Sequence, residues 1–88
     1  MTTENQQWDA FETGATAKLD QLTCDQLRAL YSVEAQDAAS ALLIADAFAD
    51  AFPDRAQRER VSQQAATRVA GLIRIQLAER CQGGLTAS

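Results

Sequence analysis

The fold is decided by residues 48–57, which read FADAFPDRAQ and join two long amphipathic segments. Pro53 has no amide hydrogen and disfavours helical geometry at Phe52, so a helix arriving from the N-terminal side ends here. Asp54, with Gln57 three residues later, offers an N-cap for a new helix. Because the connection is this short, the two helices must lie antiparallel, as a helical hairpin.

Each arm of the predicted hairpin has an apolar stripe at helical spacing. From Cys24 the stripe repeats every three or four residues up to Phe52, and the capping pair Thr23 and Gln26 places its start near Cys24. The second arm has a similar stripe that stops before the glycine pair 83–84. The chain has 18 alanines against 4 glycines and 1 proline, a composition that favours helix.

A shorter amphipathic segment precedes the hairpin. Its apolar residues recur at helical spacing; they are Trp8, Phe11, Ala15, Leu19 and Leu22. We therefore predict an all-α fold in one domain over residues 7–82, with a short N-terminal helix followed by a long antiparallel helical hairpin. The predicted segments are a flexible N-terminus at 1–6, helices at about 7–22, 24–51 and 54–82, and a flexible C-terminal tail at 83–88.

The only two cysteines, Cys24 and Cys81, lie at matching heights of the predicted hairpin. Both arms count outward from a turn at residue 53, so the numbers of two residues at equal height add up to about 105 or 106. Two interpretations stay open. The pair forms a disulfide at the open end of the hairpin, or it consists of two small buried apolar residues, as a chain without an export signal would have.

Two clusters of large apolar residues exceed what one hairpin and one short helix can easily bury. Successive residues point about 100° apart around a helix, so the members of a cluster cannot all face one neighbour. We predict a homodimer in which two hairpins form a four-helix core; a monomer covered by the first helix is the alternative. The residues assigned to dimer or core packing are Leu42, Leu43, Ile44, Leu72, Ile73 and Ile75.

Charge is divided unequally along the chain. Residues 1–54 hold ten acidic and two basic residues, whereas residues 55–88 hold two acidic residues and six arginines, within a total of −4. The absence of histidine and of a glycine-rich phosphate loop argues against catalysis, and two cysteines alone do not hold zinc. We expect no enzymatic activity, cofactor or metal. Direct nucleic-acid binding is disfavoured because the arginines are spread around their helix.

The acidic residues favour a binding function. The leading hypothesis is a protein–protein interaction module, an adaptor or inhibitor that docks an acidic helical surface on a basic partner such as a nucleic-acid-binding protein complex. The residues assigned to this surface are Glu34, Asp37, Asp46 and Asp50. In size and charge alone, the chain is similar to phage-encoded inhibitors that occupy nucleic-acid-binding surfaces of host machinery.

Two other functions stay open at this point. One is a self-assembling structural bundle, and the other is a redox-sensitive switch through Cys24 and Cys81. The longest apolar run, Ala41 to Ala45, is much shorter than the roughly 20 residues that cross a bilayer. The first residues carry no basic targeting signal. We therefore expect a protein of the bacterial cytoplasm, or of the host cytoplasm if phage-encoded, with no membrane association.

Overall fold

The computed structural model describes residues 2–83, and every regular element within them is an α-helix. The prediction of an all-helical fold with three helices is confirmed. These helices are α1 (Thr2–Leu19), α2 (Cys24–Phe48) and α3 (Pro53–Arg80). Of the predicted tail, residues 84–88 lie outside the described residues.

α2 begins at the capping pair. The Thr23 hydroxyl accepts a hydrogen bond from the Gln26 amide at 3.1 Å, and the Gln26 side chain accepts one from the Thr23 amide at 2.9 Å. Two amides that the first turn leaves unpaired are thereby satisfied. Asp25 adds a negative charge near the positive end of the helix dipole. The start of α2 is thus fixed by its local sequence.

The turn between α2 and α3 differs in detail from the expectation. α2 ends at Phe48 rather than at 51, and the Phe52 amide donates to the Phe48 carbonyl at 2.8 Å. α3 begins at Pro53 rather than at 54, so Phe52 is its N-cap, with no side-chain cap bond. The fixed φ of proline and its missing amide suit the first helical position. The expected N-cap at Asp54 is therefore wrong, although the chain does reverse at these residues.

α1 starts earlier and ends earlier than the expected helix at 7–22. Residues 2–6, expected to be flexible, are helical. They contain neither proline nor glycine, and Glu4 lies in the first turn, where a negative charge is favourable. α1 ends at Leu19 because residues 20–23 form the connection from which α2 starts.

α2 and α3 pack together along their lengths as the hairpin. Cys24 at the start of α2 and Cys81 just after α3 form a disulfide, with their Cα atoms 5.8 Å apart. α3 ends at Arg80 rather than at 82, and the Cys81 amide still donates to the Leu77 carbonyl at 3.0 Å. The disulfide therefore closes the end of the hairpin that is opposite the turn.

The large apolar side chains of the core lie near this disulfide. Leu19, Leu27, Ile73, Leu77 and Cys81 form one buried cluster, called here the disulfide end. Toward the turn, the buried residues are alanines; they are Ala41, Ala45, Ala56 and Ala66. Residues 41–66 are called here the turn half. Alanine lets the helices approach closely, but it removes less apolar area from water than leucine does.

α1 lies against α3 and points in the same direction. The Gln76 side-chain amide donates to the Asp20 carboxylate at 2.7 Å, just beyond the end of α1. Nearer the middle of α1, the Arg68 guanidinium donates to Glu12 at 2.9 Å. Positions along α1 and α3 thus increase together, and α2 is antiparallel to both. The structure contains one chain, so the predicted dimer stays a prediction.

Candidate functional site

An open groove of about 560 Å³ lies between α2 and α3, with Phe11 of α1 at its edge. Five of the residues that line it are small, Ser40, Ala41, Ser62, Ala65 and Ala66, and Ile44 and Val69 are its larger aliphatic residues. Ala41 and Ala66 are buried and form its floor. The groove lies at the middle of the hairpin, where these small residues leave space between α2 and α3.

Three carboxylates border the groove, Glu34 and Asp37 on α2 and Glu59 on α3. Glu34 and Asp37 are three residues apart, so they share one side of α2. Burial raises the pKa of the Glu34 carboxyl above its ordinary value, and the negative charge of Asp37 raises it further. The ionised pair therefore carries an electrostatic cost, which a cation placed in the groove would relieve.

Glu59 differs from this pair because it has a cationic neighbour. Arg55 Nε lies 4.0 Å from the Glu59 carboxylate, one helical turn away. The Arg55 guanidinium also lies 4.8 Å above the centre of the Phe48 ring. The negative charge of Glu59 is thus partly balanced within the chain. The acidic character of the groove is concentrated at Glu34 and Asp37.

Arg68 of α3 contacts the middle of α1 beside the groove. Its guanidinium pairs with Glu12 at 2.9 Å and lies 4.3 Å from the centre of the Trp8 ring. The Trp8 ring in turn contacts Phe11 edge to face, with 5.6 Å between ring centres. These contacts hold Phe11 at the edge of the groove that is nearer the disulfide end.

The four acidic residues assigned to one partner surface do not lie together: three are on α2, and Asp50 is in the turn that follows it. Nine residues separate Asp37 from Asp46, which is about 180° of helix rotation. Glu34 and Asp37 border the groove, whereas Asp46 is exposed on the opposite side of α2 from Asp37 and Asp50 is exposed in the turn. The four residues therefore do not share one face of the chain, and their assignment to a partner surface stays a prediction. Helical geometry permits only the first pair to act together at the groove.

The six apolar residues assigned to dimer or core packing also separate. Ile73 is fully buried in the core, and Leu72 packs against that core. Ile44 lines the groove. The other three are exposed to different degrees; they are Leu42 at 49%, Leu43 at 71% and Ile75 at 55%. The six residues therefore do not form one contiguous surface, because consecutive helical residues point in different directions.

Glu59 and the small residues of the groove were not predicted from the sequence as site residues. Counting outward from the turn does place Ser40 level with Ala65, and Ile44 level with Ser62. This count gives the height of a residue along the hairpin but not the face on which the residue lies. Assigning the groove required the packing of α2 against α3.

Comparison of the chain with protein-family models, with curated proteins and with solved structures finds no match. Among residues 2–83, no three His, Cys, Asp or Glu side chains are grouped so that they could hold a metal ion. None of the helices in the same range has the length and hydropathy needed to span a membrane. Among the described residues, the groove is the feature that bears on function.

Proposed function

We propose that this protein is a non-enzymatic binding module whose groove receives a positively charged segment of a partner protein. The observation that carries the proposal is the position of Glu34 and Asp37 beside a floor of small apolar residues. A lysine or arginine entering here gains two carboxylate neighbours, while the apolar part of the same segment covers the half-buried Ile44, Ala65 and Val69. Charge would orient the segment, and apolar contact would hold it.

The partner class that fits this chemistry is a basic protein, such as a component of a nucleic-acid-binding complex. Bound there, the chain would act as an adaptor, or as an inhibitor that covers the basic surface. Burial, and then the charge of Asp37, raises the pKa of Glu34. A cationic side chain placed beside both carboxylates favours their ionised forms. Its binding would therefore offset the electrostatic repulsion between Glu34 and Asp37.

The test is an NMR titration of the isotope-labelled chain with a synthetic amphipathic peptide that carries lysines beside an alanine and leucine stripe. We expect shift changes for amides around Asp37–Ile44 and Glu59–Ala66, and a weaker affinity at higher salt. The Asp37→Asn variant should lose about tenfold in affinity. Asp46→Asn is the matched control, because it removes the same charge from the opposite side of α2 and should change little.

Two results would overturn the proposal. One is a set of shifts centred on the side of α2 that carries Asp46, or on the turn around Asp50. The other is the absence of any shift up to about 1 mM peptide, since binding weaker than this is outside the range of specific recognition.

A further inference from the structure

We infer that the disulfide between Cys24 and Cys81 controls the docking of α1, so that its reduction by a small thiol releases α1 from the hairpin while α2 and α3 stay paired. This redox control concerns the fold and does not depend on the proposed function. It is supported by the contacts of α1, by the position of Cys24 at the start of α2, and by the unequal exposure of the two cysteines.

α1 is held by the end of α3 that precedes Cys81. Among the helices, α1 packs mainly against α3. Arg80, adjacent to Cys81, donates to the carbonyls of Leu19 at 3.2 Å and Leu22 at 2.7 Å. Gln76, one turn earlier, donates at 2.7 Å to a carboxylate just beyond the end of α1. These hydrogen bonds require the last turns of α3 to be helical and in place.

The disulfide fixes those last turns. It ties Cys81, the first residue after α3, to the start of α2. Without the bond, the end of α3 keeps the burial of the Cys81 side chain and an exposed hydrogen bond from Arg28 to the Gln82 carbonyl, at 3.1 Å. Helix ends open more easily than helix centres. Reduction therefore lets the last turn of α3 open more often, and the contacts of Arg80 with α1 open with it.

The hairpin does not depend on the bond in the same way. α2 and α3 pack together along their lengths and are joined by the turn at Pro53. The start of α2 has its own cap in Thr23 and Gln26. The N-terminal half of α1, in contrast, is largely exposed, as residues 4–7 show. α1 is therefore the element that separates when the end of α3 loosens.

Cys24 is the sulfur that a small thiol reaches. Its residue is partly buried, whereas Cys81 is only 7% exposed. The thiolate of one glutathione attacks the Sγ atom of Cys24, and the bond to Cys81 breaks; Cys81 leaves as a thiolate and takes up a proton. A second glutathione attacks the glutathione sulfur of this mixed disulfide and releases Cys24. Two electrons thus pass to the protein, and the two glutathiones become one disulfide.

The place of Cys24 in the fold favours the reduced form. Cys24 is the first residue of α2, where the positive end of the helix dipole stabilises a thiolate. Arg28, one turn further along, adds positive charge at the same end of the hairpin, and Asp25, which pairs with Arg28 at 3.2 Å, offsets part of it. A stabilised thiolate makes a disulfide easier to reduce than one between two buried thiols.

The experiment uses the only tryptophan of the chain as the reporter of docking. Trp8 of α1 lies 4.3 Å from the guanidinium of Arg68 of α3, a contact that ends when α1 leaves. The chain is equilibrated in buffers with increasing ratios of reduced to oxidised glutathione, and the fraction reduced is read from alkylation of free thiols. We expect both forms to be populated across these buffers, with acrylamide quenching of Trp8 rising about twofold as the chain is reduced. Helical circular dichroism should be largely retained.

Variants separate the docking of α1 from the redox chemistry. Cys24→Ser/Cys81→Ser should show the quenching of the reduced chain in every buffer. Arg80→Gln keeps the disulfide but removes the hydrogen bonds to α1, so quenching should rise in the oxidised chain as well. Arg74→Gln is the matched control, because it removes an equal charge from an exposed position of α3 and should change nothing.

Three results would overturn the inference. One is a disulfide that stays intact at the highest ratio of reduced glutathione, as a purely structural bond does. Another is equal quenching of Trp8 in the oxidised and reduced chains, since α1 would then stay docked without the bond. The third is loss of most of the helical signal on reduction, because the disulfide would then hold the whole fold rather than α1.

Discussion

The disulfide end and the turn half of the hairpin are built from the same two helices but from different residues. At the disulfide end, Leu27, Ile73 and Leu77 are fully buried, and a covalent bond joins the two arms. In the turn half, the buried positions hold alanines such as Ala45 and Ala56. Burial of a leucine or isoleucine contributes about 1.5–3 kcal/mol, and an alanine contributes much less. Stability is therefore concentrated at one end.

The difference also explains where a ligand has room to bind. Large side chains from both arms and from α1 fill the space at the disulfide end. Alanine and serine leave a groove in the turn half, next to Glu34 and Asp37. The disulfide end holds together the two helices that form the groove. This arrangement suits the proposed binding module, because a binding site needs supporting residues that keep its walls in place.

The largest expected effect is the loss of a core leucine. Leu77→Ala should lower the free energy of unfolding by about 2–5 kcal/mol, because it leaves a cavity among Leu19, Leu27 and Ile73. Ala45→Gly is the counterpart in the turn half and should cost about 1 kcal/mol, mainly through helix propensity. Urea unfolding of both variants checks this. Equal costs would contradict the division between the two ends.

Removal of the disulfide should have the next largest effect. The bond joins residues 57 positions apart, so Cys81→Ser should cost about 2–4 kcal/mol. Arg80, next to Cys81, donates to the carbonyls of Leu19 at 3.2 Å and Leu22 at 2.7 Å. Fraying of the end of α3 should therefore also loosen the end of α1.

Hydrogen exchange measures this second effect. Amides near the end of α3 and in α1 should lose protection in Cys81→Ser and in the dithiothreitol-reduced parent, whereas those early in α3 should change less. Dithiothreitol should leave the double variant Cys24→Ser/Cys81→Ser unchanged, which controls for other effects of the reagent. Protection that is identical with and without the bond would rule out a redox-sensitive switch through Cys24 and Cys81.

Much of the fold is predictable from the sequence because its signals are local. Pro53 fixes the reversal, and the hydrogen bonds between Thr23 and Gln26 fix the start of α2. The meeting of Cys24 and Cys81 follows from counting outward from the turn. The start of α1 was not predictable in this way, because residues 2–6 have neither an apolar stripe nor a helix breaker.

The candidate site was predicted only in part because it depends on which face each residue occupies. Asp37 and Asp46 both belong to an acidic segment, but only Asp37 borders the groove. Their side chains point about 180° apart around the axis of α2, and this angle can be calculated from the sequence. Which of the two faces the groove depends on how α3 packs against α2, and no local pattern contains that information.

The smallest expected effect is on the groove side and depends on pH. The pKa of Glu34 is raised in the folded chain, chiefly by burial and then by Asp37. The folded state thus holds its proton more tightly than the unfolded state, so this group's contribution to stability falls as pH rises from the unfolded pKa through the folded one. At pH 7, Glu34→Gln should stabilise the chain by no more than about 0.5 kcal/mol.

Urea unfolding at pH 7 and near pH 4 tests this sign. The gain from Glu34→Gln should shrink toward zero at the lower pH, where the carboxyl of the parent is protonated in the folded state. Asp46→Asn is the control, because it removes an equal charge from the exposed side of α2 and reports the general effect of net charge. A loss of stability in Glu34→Gln at pH 7 would mean that the ionised carboxylate is stabilised by the fold, and that the groove needs no cation to relieve it.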